Sequence, residues 1–314
     1  MSQCASSTIA SRCRLWPLGV LIAATVCGDA SAVRAGQEAA PPAPDQGQGD
    51  PRPDILVNGN TIAAVDALVA SLTRADGGDE AQVARWDREI CPRVLGLAPE
   101  QSALVIADIA KTARIAGLSV PKRRCRGDVI VVVTSDADGF ATAMVKRHPG
   151  LFRDPRDGLA PRSVRDAISG SKAPVRWIVS TRTEPVGGPA LEGTPSAASA
   201  SRLQLPVVKR LSMSISIVDA KRLSGITWQQ LADYLALASL TRADMDVSYG
   251  PNTILSLFQA TADGRKAPPG LTALDKAFLK SLYASTPSLG ADAQRLAIRM
   301  AIQRDLRNPA EDAR

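Results

Sequence analysis

The apolar positions in the first half of the chain predict helices on both sides of a fully apolar strand. Alanine, leucine, valine and isoleucine recur at helical spacing over residues 61–74 and 100–116. Residues 129–133 form a continuous β-branched run, which is typical of a strand buried on both faces. A helix over about residues 139–148 and a second strand at residues 177–179 are expected to follow.

The second half of the chain opens with a different pattern. Between residues 211 and 217 apolar residues alternate with serines, and this period of two predicts a half-buried strand. Thr227 is a suitable N-cap for a helix that extends to about residue 240. Thr272, with Asp275 three residues later, resembles a capping box and predicts the start of another helix.

A last helix with a basic outer face is predicted over about residues 290–305. Helices outnumber strands along the whole chain. The predicted fold class is therefore α+β, helix-rich with a small mixed sheet.

The N-terminus has the layout of a secretory signal peptide. Arg12 and Arg14 precede a short apolar run over residues 15–26, and Ala30-Ser31-Ala32 provides a cleavage site. The run is shorter than the roughly 20 residues of a membrane span. We therefore expect residues 1–32 to be removed and the protein to be periplasmic or secreted, with no later transmembrane span. A signal that is retained as an anchor is the alternative.

Two stretches of linker composition divide the rest of the chain. Residues 33–54 are rich in proline and glycine and predict a flexible linker, and residues 182–204 repeat this composition as a linker or long loop. These boundaries define an N-terminal α/β segment, residues 55–181, and a C-terminal segment, residues 205–309. The sequence leaves open whether the two segments form one domain.

Export changes the cysteine count. Cys4, Cys13 and Cys27 lie within the expected signal peptide, so only Cys91 and Cys125 remain. Two cysteines in an oxidising compartment predict one disulfide bond. Two buried free thiols are the alternative.

The charged and aromatic residues limit the partners. The chain has 38 Lys and Arg residues against 31 Asp and Glu residues, a formal charge of +7, and 4% aromatic residues. Its densest basic run, Lys122, Arg123, Arg124 and Arg126, is either an anion-binding site or a solvated loop beside the disulfide. Because aromatic side chains for base stacking are scarce, we expect no nucleic acid partner. The expected partner is an envelope protein or an anionic envelope polymer.

Three short motifs outside the C-terminal segment have structural interpretations. The only histidine, His148, cannot build a multi-histidine metal site and is expected to end a helix before Pro149. Ser169 and Lys172 match the S-x-x-K pattern of penicillin-binding enzymes, but the accompanying motifs are missing and a polar turn is expected. Asp136 or Asp138 is expected to cap the next helix.

The C-terminal segment carries a family resemblance. After the predicted strand and helix come residues 252–258, Asn-Thr-Ile-Leu-Ser-Leu-Phe, and then Leu271-Thr272-x-x-Asp275 opening a helix that ends near Leu282-Tyr283. Over residues 211–284 this order resembles the C-terminal half of metzincin-like zinc metallopeptidases. It is nearer still to a group of uncharacterised exported bacterial proteins related to them. The resemblance implies a zincin-like fold for the C-terminal half.

In that family an active-site helix, H-E-x-x-H-x-x-G-x-x-H, supplies three zinc ligands and a general base. Aligning its usual Leu-Gly-Leu with residues 235–237 places Gln229, Asp233 and Ser239 at the three histidine positions and Gln230 at the glutamate. Among the three, only Asp233 is a credible zinc ligand. The Gln230 amide is not basic enough to take a proton from metal-bound water.

The resemblance therefore implies a degenerate former site with no zinc and no cofactor. We expect a pseudoenzyme, a protein with a non-catalytic binding or structural role in the envelope. The same residues also fit the plain core of an unrelated α+β envelope protein. A hydrolase with unconventional residues, acting on envelope peptide or polysaccharide, is the alternative function.

Overall fold

The computed structural model describes residues 59–73, 82–121, 125, 127–154, 158–159, 162–186, 204–245 and 247–307. All of them fall within the unit Pro53–Arg314. The α-helices of this part of the chain are α1 (Gly59–Thr73), α2 (Pro99–Ile115), α3 (Ala137–Arg147), α4 (Arg162–Gly170), α5 (Trp228–Leu240), α6 (Leu257–Ala262), α7 (Ala273–Ala284) and α8 (Ala291–Arg307). The strands are β1 (Pro92–Leu95), β2 (Val129–Thr134), β3 (Arg153–Asp154), β4 (Gly158–Leu159), β5 (Val175–Pro185) and β6 (Val207–Asp219).

Four of the strands form one mixed sheet in the order β1-β2-β6-β5. Strands β1, β2 and β6 are parallel, and β5 pairs antiparallel with β6 at one edge. Helix α2 connects the two parallel strands β1 and β2. Strands of both predicted segments therefore lie in the same sheet, and the fold is mixed α+β with a small mixed sheet, as the sequence predicts.

Helices cover both faces of this sheet. On one face Val131, Trp177 and Val218 pack into a core that includes α2, α5 and α7. On the other face Ile215 and Ile217 pack against α3 and α4. This double cover confirms the expectation that residues 129–133 form a strand buried on both faces.

Strand β6 differs from its predicted half-buried state. Ser214 and Ser216 are fully buried, although their alternation with apolar residues predicted a solvent-facing side. Both hydroxyls lie on the face with Val131 and Trp177, and neither has a hydrogen-bond partner among the described residues. A period of two normally indicates that one face of a strand is exposed to water. The expectation was wrong because β6 is a central strand that helices cover, and the small serine side chains fit into this buried face.

An extended segment before β1 ties the sheet to the helical layer. The Arg85 guanidinium donates to the carbonyl oxygens of Leu282 and Tyr283 at 3.0 and 2.8 Å, where α7 ends. The Trp86 indole N–H donates to the Ser239 carbonyl at 2.9 Å. Burial lowers the pKa of the Arg85 guanidinium. Together the bonds of Arg85 and Trp86 hold the C-terminal ends of α5 and α7 to the same segment.

Candidate functional site

Helix α5 begins at a capping box that anchors the candidate site. The Thr227 hydroxyl accepts a hydrogen bond from the Gln230 backbone N–H at 3.2 Å, and the Gln230 side-chain oxygen accepts from the Thr227 N–H at 3.1 Å. This arrangement satisfies two of the free N–H groups at the helix start. The predicted cap at Thr227 is confirmed, and Gln230 has a structural role in it.

The first residues of α5 hold a loop that precedes α7, which we name the covering loop (residues 267–271). The Gln230 amide donates to the Pro268 carbonyl at 2.8 Å. The Asp233 carboxylate, only 7% exposed, accepts from the Leu271 N–H at 2.9 Å. Both side chains therefore bind backbone groups of the covering loop.

Gly270 of the covering loop lies in close contact with α5. A Cβ atom at this position would lie 2.5 Å from the Asp233 Oδ2 atom and 3.9 Å from the Gln229 Cγ atom. Only glycine therefore fits without displacing the carboxylate. The exposed Gln229 borders this contact, so Gln229, Gln230 and Asp233 all lie at the covering loop.

A Gly270→Ala substitution tests how tightly this contact is packed. We expect the added methyl group to push the loop away from Asp233 and to lower the free energy of unfolding by about 1–3 kcal/mol. Urea unfolding measures the effect. Gly250→Ala is the matched control, because its Cβ would meet no atom within 4 Å. Equal stability of the two variants would contradict the close contact.

Ser239 does not share the position of the other three residues. Helix α5 continues to Leu240 without a break. At about 100° per residue, Ser239 therefore lies about 120° around the helix axis from Asp233. Its side chain is fully buried, and its hydroxyl has no hydrogen-bond partner in the described part of the chain.

The donor set at these positions does not fit a catalytic zinc. Gln229 offers a neutral amide, the Asp233 carboxylate already binds a backbone N–H, and Ser239 lies on another side of the helix. Three ligands converging on one point are needed for such a site. The described residues also contain no group of three or more histidine, cysteine, aspartate or glutamate side chains placed to hold a metal ion.

Asp108 of α2 is a further charged group at this site, and the sequence patterns did not single it out. Burial raises the pKa of its carboxyl, and the nearby Asp233 charge raises the pKa further, while Lys111 lowers it. No local sequence pattern marks Asp108, because its neighbour Asp233 lies on another helix. The site therefore contains two interacting carboxyl groups on neighbouring helices.

A second buried carboxylate joins the turn after α5 to α7. Asp275 Oδ2 accepts hydrogen bonds from the N–H groups of Ile254 and Thr272 at 2.9 and 3.0 Å. The Thr272 hydroxyl accepts from the Asp275 N–H at 3.0 Å, which confirms the predicted capping box. Asp275 thus connects residues 254–256, a short 3-10 helix, to the start of α7.

The predicted cysteine pair is brought together just before strands β1 and β2. The sulfur atoms of Cys91 and Cys125 lie within disulfide-bonding distance, and their Cα atoms are 5.9 Å apart. The Cys91 N–H donates to Asp128 Oδ1 at 2.6 Å. The neighbouring basic residues Lys122, Arg123, Arg124 and Arg126 lie outside the described residues, so their anion-binding role stays a prediction.

The remaining sequence motifs have structural partners. Asp136 caps α3 by accepting from the Gly139 N–H at 2.9 Å, and His148 is the residue at which α3 ends. The Ser169 hydroxyl donates to the Arg165 carbonyl, while the Lys172 ammonium pairs with Asp138. Lys172 therefore binds a carboxylate, which does not favour it as the base of a Ser-Lys enzyme.

The comparisons with known proteins return no relative. No protein-family model, no curated protein and no solved structure matches the chain. No helix in the described part of the chain is both long and apolar enough to cross a membrane.

Proposed function

We propose that this protein is an exported, non-catalytic protein of the cell envelope that uses a metallopeptidase-like scaffold for binding or structure. Its partner would be an envelope protein or an anionic envelope polymer. The signal-peptide pattern of residues 1–32 supports export. The order of β6, α5, the turn at residues 254–256 and α7 supports the scaffold, because the family resemblance requires these elements in this order.

One observation carries the non-catalytic part of the proposal. Gln230 and Asp233, which stand at the base and ligand positions of the resembled family, bind the backbone of the covering loop. A side chain that binds the backbone of a loop in this way has a structural role that requires no catalytic activity. The former site would then be a packed junction between α5 and the covering loop.

The alternative, a hydrolase acting on envelope peptide or polysaccharide, has one observation in its favour. The raised pKa of Asp108 beside Asp233 is a property that general acids share. If this function is correct, Asp108→Asn abolishes hydrolysis of an envelope substrate that the wild-type protein cleaves.

Metal analysis of the purified mature protein tests the proposal. We expect elemental analysis after dialysis against micromolar zinc to find no bound zinc above the level of an Asp233→Ala variant. Zinc bound at one equivalent in the wild-type protein, and lost in the variant, would contradict the non-catalytic proposal.

A further inference from the structure

A groove runs along α3, on the opposite face of the sheet from α5. Its volume is about 510 Å³, within the range of about 300–1,000 Å³ that is usual for ligand sites. One side of α3, the end of α4 and Lys172 form its walls. The α3 residues that line the groove run from Asp138 to Arg147, so the groove follows the helix for about 14 Å.

Small and hydroxylated side chains form the floor of this groove. Gly139 and Ala143 lie one helical turn apart on α3 and leave room above the helix. Thr142 adds a hydroxyl group that can donate to or accept from a polar ligand, and the Ser169 hydroxyl, which donates to the Arg165 carbonyl, can accept a hydrogen bond. The described lining residues include no aromatic side chain.

The groove carries a net positive charge. Lys146 and Arg147 lie at the end of α3, both exposed and without an ion-pair partner among the described residues. Lys172 lies near the start of α3, where it pairs with Asp138 at 2.5 Å. Asp138 is the only carboxylate among the described lining residues, and it also pairs with the fully buried Arg176.

The two cations beside Asp138 neutralise it and leave the groove basic. Hydrogen bonds from Lys172 and Arg176 lower the pKa of Asp138 to about 2, so it stays ionised and paired at neutral pH. The Lys172 ammonium has three donors, and only one is needed for Asp138. Positive charge is therefore available at both ends of the groove.

We propose that this groove binds an acidic saccharide chain. One acidic group would contact Lys146 and Arg147, a second would contact Lys172, and sugar hydroxyls would meet Thr142 and Ser169. The described lining residues provide no aromatic side chain for base stacking, and this disfavours single-stranded nucleic acid. The inference rests on the proposed binding role in the envelope and names the site and the chemistry of the partner.

Calorimetry with tetragalacturonate tests this site, with neutral maltotetraose and inorganic tripolyphosphate as comparison ligands. We expect tetragalacturonate to bind and to shift the amide NMR signals of residues 138–147 and 169–172. The Lys146→Gln/Arg147→Gln variant should raise the Kd about tenfold or more, because it removes both cations at one end of the groove. The Arg304→Gln/Arg307→Gln variant, which removes two exposed charges from the last turn of α8, should leave the Kd unchanged.

Each other outcome overturns the proposal. Equal weakening by both double variants would indicate general charge attraction, and equal binding of maltotetraose would remove the acidic requirement. Binding of tripolyphosphate without binding of tetragalacturonate would indicate that the ligand is a phosphate polymer and not an acidic saccharide. If none of the three compounds binds, the groove is not a site for this class of ligand. Circular dichroism of both variants checks their folding. None of these outcomes depends on zinc, so failure here is distinguishable from failure of the non-catalytic proposal.

Discussion

Replacing Cys91 and Cys125 together with alanine is expected to lower the free energy of unfolding by about 3–4 kcal/mol. The two cysteines are separated by 34 positions in the sequence and lie just before β1 and β2. A bridge between them closes the loop that contains β1 and α2, and it restricts the unfolded chain. Urea unfolding of the oxidised wild-type protein and of the double variant measures the difference.

Reduction of the wild-type protein provides the control for this experiment. Dithiothreitol should lower the stability of the wild-type protein to about that of the double variant and leave the variant unchanged. In denatured, unreduced wild-type protein that lacks residues 1–32, two free thiols measured with Ellman's reagent would contradict the bridge.

Asp275→Ala is expected to cause the second large loss of stability. The side chain is fully buried and accepts hydrogen bonds from the backbone N–H groups of Ile254 and Thr272. Each buried N–H group left without an acceptor costs about 1–3 kcal/mol, so we expect a loss of about 3 kcal/mol or more. Thermal and urea unfolding measure it. A loss as small as that of a surface substitution would contradict the role of Asp275 in joining the turn to α7.

Asp275→Asn separates the charge of this residue from its shape. Burial raises the pKa of Asp275, although the hydrogen bonds from its neighbours lower it. A raised folded-state pKa favours the folded wild-type protein below the unfolded pKa of about 3.9, and this advantage is lost as the pH rises through the folded pKa. We therefore expect the stability of the wild-type protein relative to Asp275→Asn to fall between pH 4 and pH 7. A rise over this interval would contradict the effect of burial.

The long elements of the fold could be predicted from local patterns. The β-branched run in β2 and the capping residues Thr227 and Thr272 carry their signals within a few residues, and all three predictions are confirmed. Strand β1 has four residues and begins with proline, so it has too few positions to show an alternation of apolar and polar residues. Helix α4 has few apolar residues in its nine positions and was not predicted.

The candidate site was less predictable because its main partners are backbone groups. The resemblance identified Gln230 and Asp233, but a Pro268 carbonyl or a Leu271 N–H has no side-chain signal that could mark it. Asp108 was missed because its neighbour Asp233 lies on another helix, far away in the sequence. The alignment placed Ser239 with the other site residues. Helix α5 is uninterrupted, however, so Ser239 lies on another side of the helix.

Hydrogen exchange at the Leu271 amide tests most directly whether Asp233 secures the covering loop and binds no metal. The predicted result is that one equivalent of zinc leaves the exchange rate of this amide unchanged in the wild-type protein, while Asp233→Ala increases the rate about tenfold or more, since the lost hydrogen bond to a charged group is worth about 1.5–3 kcal/mol. Faster exchange on adding zinc to the wild-type protein would contradict the account, because the metal would then have taken the carboxylate from the loop.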